Sequence, residues 1–179
     1  MAGDFGDIRV TIDPKDFRRM IGQRLKAAGF GRVRRFWWMR GVDDQWAVTM
    51  TKDRWGGPSF QMNVQADLQA VRRSERPIAY PIDWPVFDLP PLREKFGDMR
   101  APWVAAVLQL DNGLGDEKRL AGLDELIELL AGYVVTHLTV ESLREAYQAG
   151  QIRPGFVHRQ ARAFFEADDG EWRPDWVDR

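Results

Sequence analysis

The chain has 179 residues, of which 44% are hydrophobic and 30% are charged. This is the size and composition of one ordinary globular domain, and it argues against wholesale disorder. The formal net charge is −1, so no overall attraction to nucleic acid or anionic membranes is expected. The absence of cysteine excludes disulfides and cysteine nucleophiles, and two histidines are too few for a histidine zinc site.

The first predicted element is a helix that begins after Asp13 and ends before Gly29. Asp13 is a suitable N-cap, Pro14 suits the first helical position, and Gly29 suits the left-handed residue that follows a helix. Apolar side chains recur at helical spacing on one face, at Phe17, Met20, Ile21, Leu25 and Ala28. We expect that face to pack on the strands that follow.

Three strands are predicted next, over residues 32–40 (RVRRFWWMR), 45–52 (QWAVTMTK) and 59–68 (SFQMNVQADL). The second and third alternate apolar and polar side chains with a period of two, which is typical of strands with one buried face. Short turn-rich segments join the three strands, so the order predicts an antiparallel meander.

Residues 77–102 contain six of the ten prolines, and we interpret them as a long ordered loop that wraps the core. The apolar run PWVAAVLQLDNG after it predicts a fourth strand. Three helices then follow: one that ends before Gly132, one capped by Thr139 that ends at Gly150, and one over residues 153–167.

The whole pattern predicts a single α+β domain with a core over about residues 12–167 and an acidic tail at 168–179. Its expected architecture is a three- or four-stranded antiparallel sheet, with the N-terminal helix packed on it and the C-terminal helices around it.

Trp37 and Trp38 are adjacent on a predicted strand, so their side chains must point to opposite faces of the sheet. One register places Trp37 on a polar face, and the flipped register places it in the core. In the first register an aromatic anchor stands among polar groups, as in many binding surfaces. In the alternative, the proline-rich segment covers that face and the indole only packs. The candidate ligand- or partner-binding residues are Arg35, Trp37, Thr49, Thr51, Gln61 and Asn63, with Asp53, Arg54 and Trp55 in a turn.

Basic residues dominate the stretch from Lys15 to Arg40, with nine basic residues against one acidic residue, Asp16. The plain interpretation is a solvated helix face and an edge strand protected by arginines. A functional interpretation is contact with nucleic-acid phosphates. The near-neutral net charge and the acidic segments at 116–128 and 166–178 argue against nucleic acid and favour a protein partner.

No phosphate-binding, nucleophile-elbow or zinc-protease motif occurs in the sequence. His137 near a helix start is interpreted as a structural hydrogen-bonding residue, and its role as a general base is the third hypothesis. We expect no catalytic residue, no metal and no cofactor. No basic-then-apolar leader and no stretch of eighteen apolar residues occur, so we expect a cytoplasmic protein without membrane contact.

The order of motifs resembles a known family. A helix ending LKAAGF precedes an arginine- and aromatic-rich strand, and WAVTMTKDRWGG, SFQMNVQ and LTVESLREAY follow. Over residues 12–150 this resembles the bacterial domain-of-unknown-function family 4304. The resemblance implies a helix packed with strands rich in Trp, Phe and Asn, and it implies no activity and no site residues.

These observations favour a non-catalytic protein-interaction module of a bacterial cytoplasm. A defence or toxin-immunity role is one specific version, because small domains without a catalytic motif can act by covering a partner. The alternative is a small-ligand or nucleotide-binding domain that uses the polar sheet face around Trp37.

Overall fold

The computed structural model describes residues 12–41, 44–52, 58–68 and 81–167. Five strands form one antiparallel sheet in chain order: β1 (Gly31–Val33), β2 (Phe36–Arg40), β3 (Asp44–Lys52), β4 (Phe60–Leu68) and β5 (Ile82–Pro85). The α-helices are α1 (Pro14–Ala27), α2 (Pro90–Phe96), α3 (Arg100–Leu108), α4 (Asp116–Thr136), α5 (Val140–Gln148) and α6 (Arg159–Glu166). The α+β class is confirmed, with five strands in place of three or four.

Helix α1 forms as its sequence predicts. The Asp13 side chain accepts a hydrogen bond of 2.7 Å from the Lys15 backbone N–H. At the other end Gly29 has a φ of +96°, and Phe30 N–H donates to the Leu25 carbonyl, which is the Schellman ending. The apolar face, with Phe17, Ile21 and Leu25 fully buried, therefore enters the core with both helix ends satisfied.

The sheet has an inner face that the helices cover and an outer face opposite it. Residues paired across neighbouring strands share a face, so the register assigns each side chain to one face. The inner face carries, among others, Trp37, Trp46, Val48, Val64 and Trp84. Helix α1 contacts it through Phe17 on Phe60, at 5.9 Å between ring centroids, and α4 contacts it through Tyr133.

The predicted first strand, residues 32–40, is wrong as a single strand. It is a hairpin of β1 and β2, in which Val33 pairs with Phe36 across a two-residue turn. Arg34 in that turn has a φ of +55°, a conformation in which glycine or asparagine is usual. The turn was missed because neither of its two residues, Arg34 and Arg35, is a turn-forming type.

The predicted fourth strand is also wrong, because the apolar run after Pro102 belongs to helix α3. A short apolar run fits a buried strand and a buried helix equally well, and only its packing decides between them. The edge partner of β4 is β5, which lies inside the proline-rich segment. The prediction of a long loop is therefore wrong over the described residues 81–102, which contain β5, 3-10 turns at Val86–Asp88 and Gly97–Met99, α2 and the start of α3. Residues 77–80 lie outside the described residues.

The C-terminal helices match the prediction with shifted ends. Helix α4 continues through Gly132 to Thr136, so the expected stop at the glycine is wrong. Helix α5 has the predicted Thr139 cap, whose side chain accepts from Ser142 N–H. Helix α6 begins only at Arg159, after His158, which caps it. The acidic tail, 168–179, lies outside the described residues.

Candidate functional site

The structure separates the predicted site residues into two groups on opposite faces of the sheet. Thr49, Thr51, Gln61 and Asn63 lie on the outer face, in register with Phe36. Trp37 lies on the inner face and is only 9% exposed. The predicted register that placed Trp37 among those polar groups is therefore wrong. Helix α1 packs against the Trp37 indole, so the sheet face that carries Trp37 is part of the core.

Some polar side chains of the outer face form hydrogen bonds with groups of the neighbouring strands. Thr49 Oγ1 donates to the Asn63 carbonyl at 3.5 Å, and Asn63 Nδ2 donates to Asp83 Oδ1 at 3.3 Å. Among the described residues, the half-buried Trp38 lies on this face, and its ring is 5.7 Å from that of Phe36. The predicted loop residues Asp53, Arg54 and Trp55 lie outside the described residues.

Arg35, another predicted site residue, lies in a different part of the molecule from the polar outer face. Together with Trp37 it lines an open cleft of about 440 Å³ between α1 and the β1–β2 hairpin. We call this the basic cleft, and its lining residues are Lys15, Arg18, Arg19, Gly22, Gln23, Lys26, Arg32, Arg35, Trp37 and Met50.

One wall of the basic cleft is a stripe along α1. Its lining positions, from Lys15 through Gly22 to Lys26, follow helical spacing, so they share one face of the helix. The ends of this stripe, Lys15 and Lys26, are eleven positions apart in the sequence, so the wall is about 16 Å long. The stripe lies beside the apolar face of α1. One face of the helix therefore packs on the core, and the adjacent face lines the cleft.

The other wall is the hairpin, where two arginines are held by local contacts. The Arg32 guanidinium lies over the Trp37 ring, 5.7 Å from its centroid, and its Nε donates to the Arg34 carbonyl at 3.3 Å. Arg35 lies 5.1 Å from the Phe36 ring centroid. Such cation–π contacts restrict long side chains that would otherwise sample many rotamers. The hairpin therefore presents partly ordered positive charge to the cleft.

Six positive side chains line the basic cleft, while no carboxylate does so among the described residues. Arg19 has a nearby carboxylate, Asp16, at 3.0 Å, and both side chains are well exposed. Arg24 lies on the same helix but is turned to Asp124 of α4. In the described part of the chain no ion pair is formed by the other five cations, and all five residues are exposed: Lys15, Arg18, Lys26, Arg32 and Arg35.

The floor of the basic cleft is apolar, in contrast to its walls. It consists of Gly22, the edge of Trp37 and the half-buried Met50. A Cβ at Gly22 would lie 2.6 Å from Trp37 Cζ2, so this glycine allows the indole to reach the helix backbone. Ligand sites in proteins commonly combine an apolar lining with a small number of polar or charged groups, and the basic cleft has both.

A second groove of about 310 Å³ lies between β4, β5 and α3. Its lining includes Met62, Phe87, Val104 and Leu108, with Gln61, Asn63 and Gln109 as polar members. No charged side chain lines it among the described residues. It differs in this respect from the basic cleft.

His137 occupies the C-cap of α4 and makes structural contacts. Its Nδ1 lies 2.8 Å from the Tyr133 carbonyl and its ring stacks on Tyr133 at 4.1 Å. Its own carbonyl accepts a 2.7 Å hydrogen bond from Trp46 Nε1. These contacts place His137 in the joint between the sheet and the helix layer, away from the residues that line the basic cleft.

Within the described ranges, no group of three or more His, Asp or Glu side chains is arranged to hold a metal ion. Over the same residues no single helix is long and apolar enough to span a membrane, although α4 and α5 taken together, bent by 106°, meet the criteria of length and composition. Comparisons with protein-family models, with curated proteins and with solved structures found no match for this chain. The resemblance to family 4304 stays a prediction.

Sequence reasoning identified the charge of this region but not the site. The excess of basic residues from Lys15 to Arg40 was visible, and the helical spacing of Lys15, Arg19 and Lys26 was the available signal for a shared wall. The role of Met50 was not visible, because it comes from a strand that enters the cleft only through the tertiary fold.

Proposed function

We propose that the protein is a non-catalytic binding module of the bacterial cytoplasm that docks its basic cleft onto an acidic segment of a protein partner. The observation that carries the proposal is the lining of the cleft. Six cations surround it, and only Arg19 has a carboxylate partner in the described part of the chain.

Unpaired like charges held close together cost free energy, because each raises the electrostatic potential at its neighbours. An acidic segment bound between the walls would lower that potential and form charge-assisted hydrogen bonds with the guanidinium groups. The same field would speed the encounter with an acidic partner. A toxin-immunity protein, which covers an acidic surface of its toxin, is one specific form of this function.

The alternative function is the binding of a nucleotide or another small anionic ligand. The same cations favour it, since arginine binds phosphate as readily as carboxylate. The location that the sequence predicted for this ligand, a polar sheet face around Trp37, does not form, because Trp37 lies on the opposite face from Thr49 and Asn63. This ligand would have to bind in the basic cleft.

The proposal is tested by fluorescence anisotropy with a fluorescein-labelled decaglutamate peptide. The double variant Arg18→Glu/Arg35→Glu reverses one cation on each wall of the cleft. Its matched control is Lys118→Glu/Arg159→Glu, which makes the same change in net charge at exposed residues outside the cleft. We expect at least about tenfold weaker binding for the cleft variant and less than about twofold for the control.

Salt and competitors complete the test. Raising NaCl from 50 to 300 mM should weaken binding to the wild-type protein, because the contacts are exposed ion pairs. Equal loss in the cleft and control variants would contradict the proposal, since the attraction would then be non-specific. Displacement of the peptide by ATP at a lower concentration than by free decaglutamate would favour the nucleotide alternative.

A further inference from the structure

The positive charges on the walls of the basic cleft would attract an acidic partner, but they give no role to the apolar floor of the cleft. We infer, on the basis of the proposed function, that the partner segment is extended and amphipathic, with one aliphatic side chain seated on Gly22, Trp37 and Met50 and acidic residues on both sides of it.

The position of the floor along α1 sets the pattern of that segment. Gly22 lies seven residues after Lys15 and four residues before Lys26. At the rise of an α-helix these separations are about 10 Å and about 6 Å. An extended chain advances about 3.3 Å per residue, so the matching acidic residues lie about three positions on one side of the aliphatic residue and about two on the other.

The floor needs the absence of a side chain at one position. A Cβ at position 22 would lie 2.6 Å from Trp37 Cζ2, because the indole already occupies the space beside the helix backbone there. Gly22 is itself buried, and Met50 is half-buried beside it. A methyl-bearing side chain from the partner would complete the burial of both the indole edge and the Met50 side chain.

The same geometry disfavours single-stranded nucleic acid. Proteins that bind it stack bases on the faces of exposed aromatic rings. Trp37 is only 9% exposed, and the Arg32 guanidinium already lies over its ring. An aliphatic side chain needs only the ring edge and Met50, which the cleft offers.

The test uses two labelled probe peptides that differ in one residue. The first is Gly-Asp-Glu-Asp-Leu-Asp-Glu-Asp-Gly, and the second has glycine in place of leucine. Both have the same charge, so binding that depends on charge alone would not distinguish them. We expect the wild-type protein to bind the leucine peptide about tenfold more tightly, which is the size of effect expected from burying one aliphatic side chain.

The protein variants Met50→Ala and Met50→Leu locate the contact. We expect Met50→Ala to reduce the tenfold preference to about threefold or less, and Met50→Leu to keep most of it, since leucine replaces the lost apolar contact. Circular dichroism and urea denaturation establish that each variant is folded at the temperature of the assay. Both variants leave the charge of the walls unchanged.

The outcomes separate this inference from the proposed function. Equal binding of the two peptides, with loss of both in Arg18→Glu/Arg35→Glu, would overturn the amphipathic segment and leave the acidic partner standing. Binding of neither peptide, or binding that ignores the charge reversal, would overturn both. Tighter binding of a decathymidylate probe than of the leucine peptide would overturn the inference in favour of nucleic acid.

Discussion

The ring of Trp37 lies against the backbone of α1 at Gly22, so closely that a Cβ at Gly22 would be 2.6 Å from Trp37 Cζ2. This contact joins the helix to the second strand and forms the floor of the basic cleft. It also decides which of two adjacent indoles is buried, because the helix can approach the sheet this closely only at a residue without a side chain.

Replacement of Gly22 by alanine should lower the free energy of unfolding by about 1–3 kcal/mol, because the added methyl overpacks the contact with Trp37. The matched control is Gly132→Ala in α4, where a Cβ would meet nothing within 4 Å. That substitution should raise stability by about 0.5–1 kcal/mol, since alanine is the better helix former. Urea denaturation followed by circular dichroism measures both, and equal effects would contradict the close packing.

Replacement of Arg34 by glycine should stabilise the protein by about 1 kcal/mol, because Arg34 adopts a φ of +55° that costs an L-residue free energy. Arg35, the other turn residue, has a negative φ, so Arg35→Gly should be destabilising by about 0.5–1 kcal/mol through added freedom in the unfolded chain. Thermal unfolding of the two variants checks the opposite signs. A loss of stability in Arg34→Gly would mean that contacts of the Arg34 side chain stabilise the fold by more than the strained φ destabilises it.

Replacement of Arg119 by methionine should destabilise the protein by at least about 3 kcal/mol. Arg119 is fully buried, and its guanidinium donates to the carbonyls of Ala106, Val107 and Gln109 at the end of α3, and to Asn112 Oδ1 and the Leu114 carbonyl. Burial lowers the pKa of Arg119, with opposing contributions from Asp116 and Asp111.

The exposed neighbour Lys118 provides the control for that change. Lys118→Met should alter stability by less than about 0.5 kcal/mol, because the Lys118 side chain is exposed. Arg119→Lys should lie between the two, since lysine keeps a charge but cannot span the same fork of acceptors. A mild effect of Arg119→Met in urea denaturation would show that the α3–α4 connection does not depend on these hydrogen bonds.

Stability should fall as the pH rises above about 10, the ordinary pKa of tyrosine. Burial raises the pKa of Tyr133, with an opposing contribution from the positive charge of Arg93. The folded state therefore keeps a proton that the unfolded state releases, and the stabilisation present below pH 10 is lost as the pH rises towards the folded pKa. Burial, followed by the hydrogen bond to Glu166, also raises the pKa of Tyr147.

Tyr133→Phe should make the alkaline loss of stability shallower. At pH 7 it should cost less than about 1 kcal/mol, because the buried Tyr133 hydroxyl has no hydrogen-bond partner among the described residues. Urea denaturation at pH 7, 9, 10 and 11 measures the slope. An unchanged slope in the variant would assign the alkaline transition to other groups.

Short sequence patterns correctly predicted those helix ends that depend on neighbouring residues. The cap at Asp13, the Schellman ending at Gly29 and the Thr139 cap all form as predicted, because each depends on residues within one helical turn. Strands β3 and β4 were predicted by alternation alone. For the helix ends the specifying interaction lies within a few residues, whereas for β3 and β4 only the pattern is local, since their ladder pairs residues as far apart as Asp44 and Leu68.

The errors occurred where packing between distant segments decides the structure. The apolar run that forms α3 has no periodicity that distinguishes helix from strand, and its helix is stabilised by Arg119 from the next element. The β1–β2 hairpin turns at Arg34 without a turn-forming residue, because pairing along both strands outweighs the cost of one strained residue.

The sequence by itself determined that Trp37 and Trp38 point apart, since successive side chains on a pleated strand alternate between faces. It also determined the positive charge of α1 and the hairpin, and the amphipathic form of α1. Only the tertiary structure decided which indole is buried, and that Met50 lies under the basic residues of α1. The physical reason is that both depend on the close approach of α1 to the sheet at Gly22, a contact between segments that no local pattern specifies.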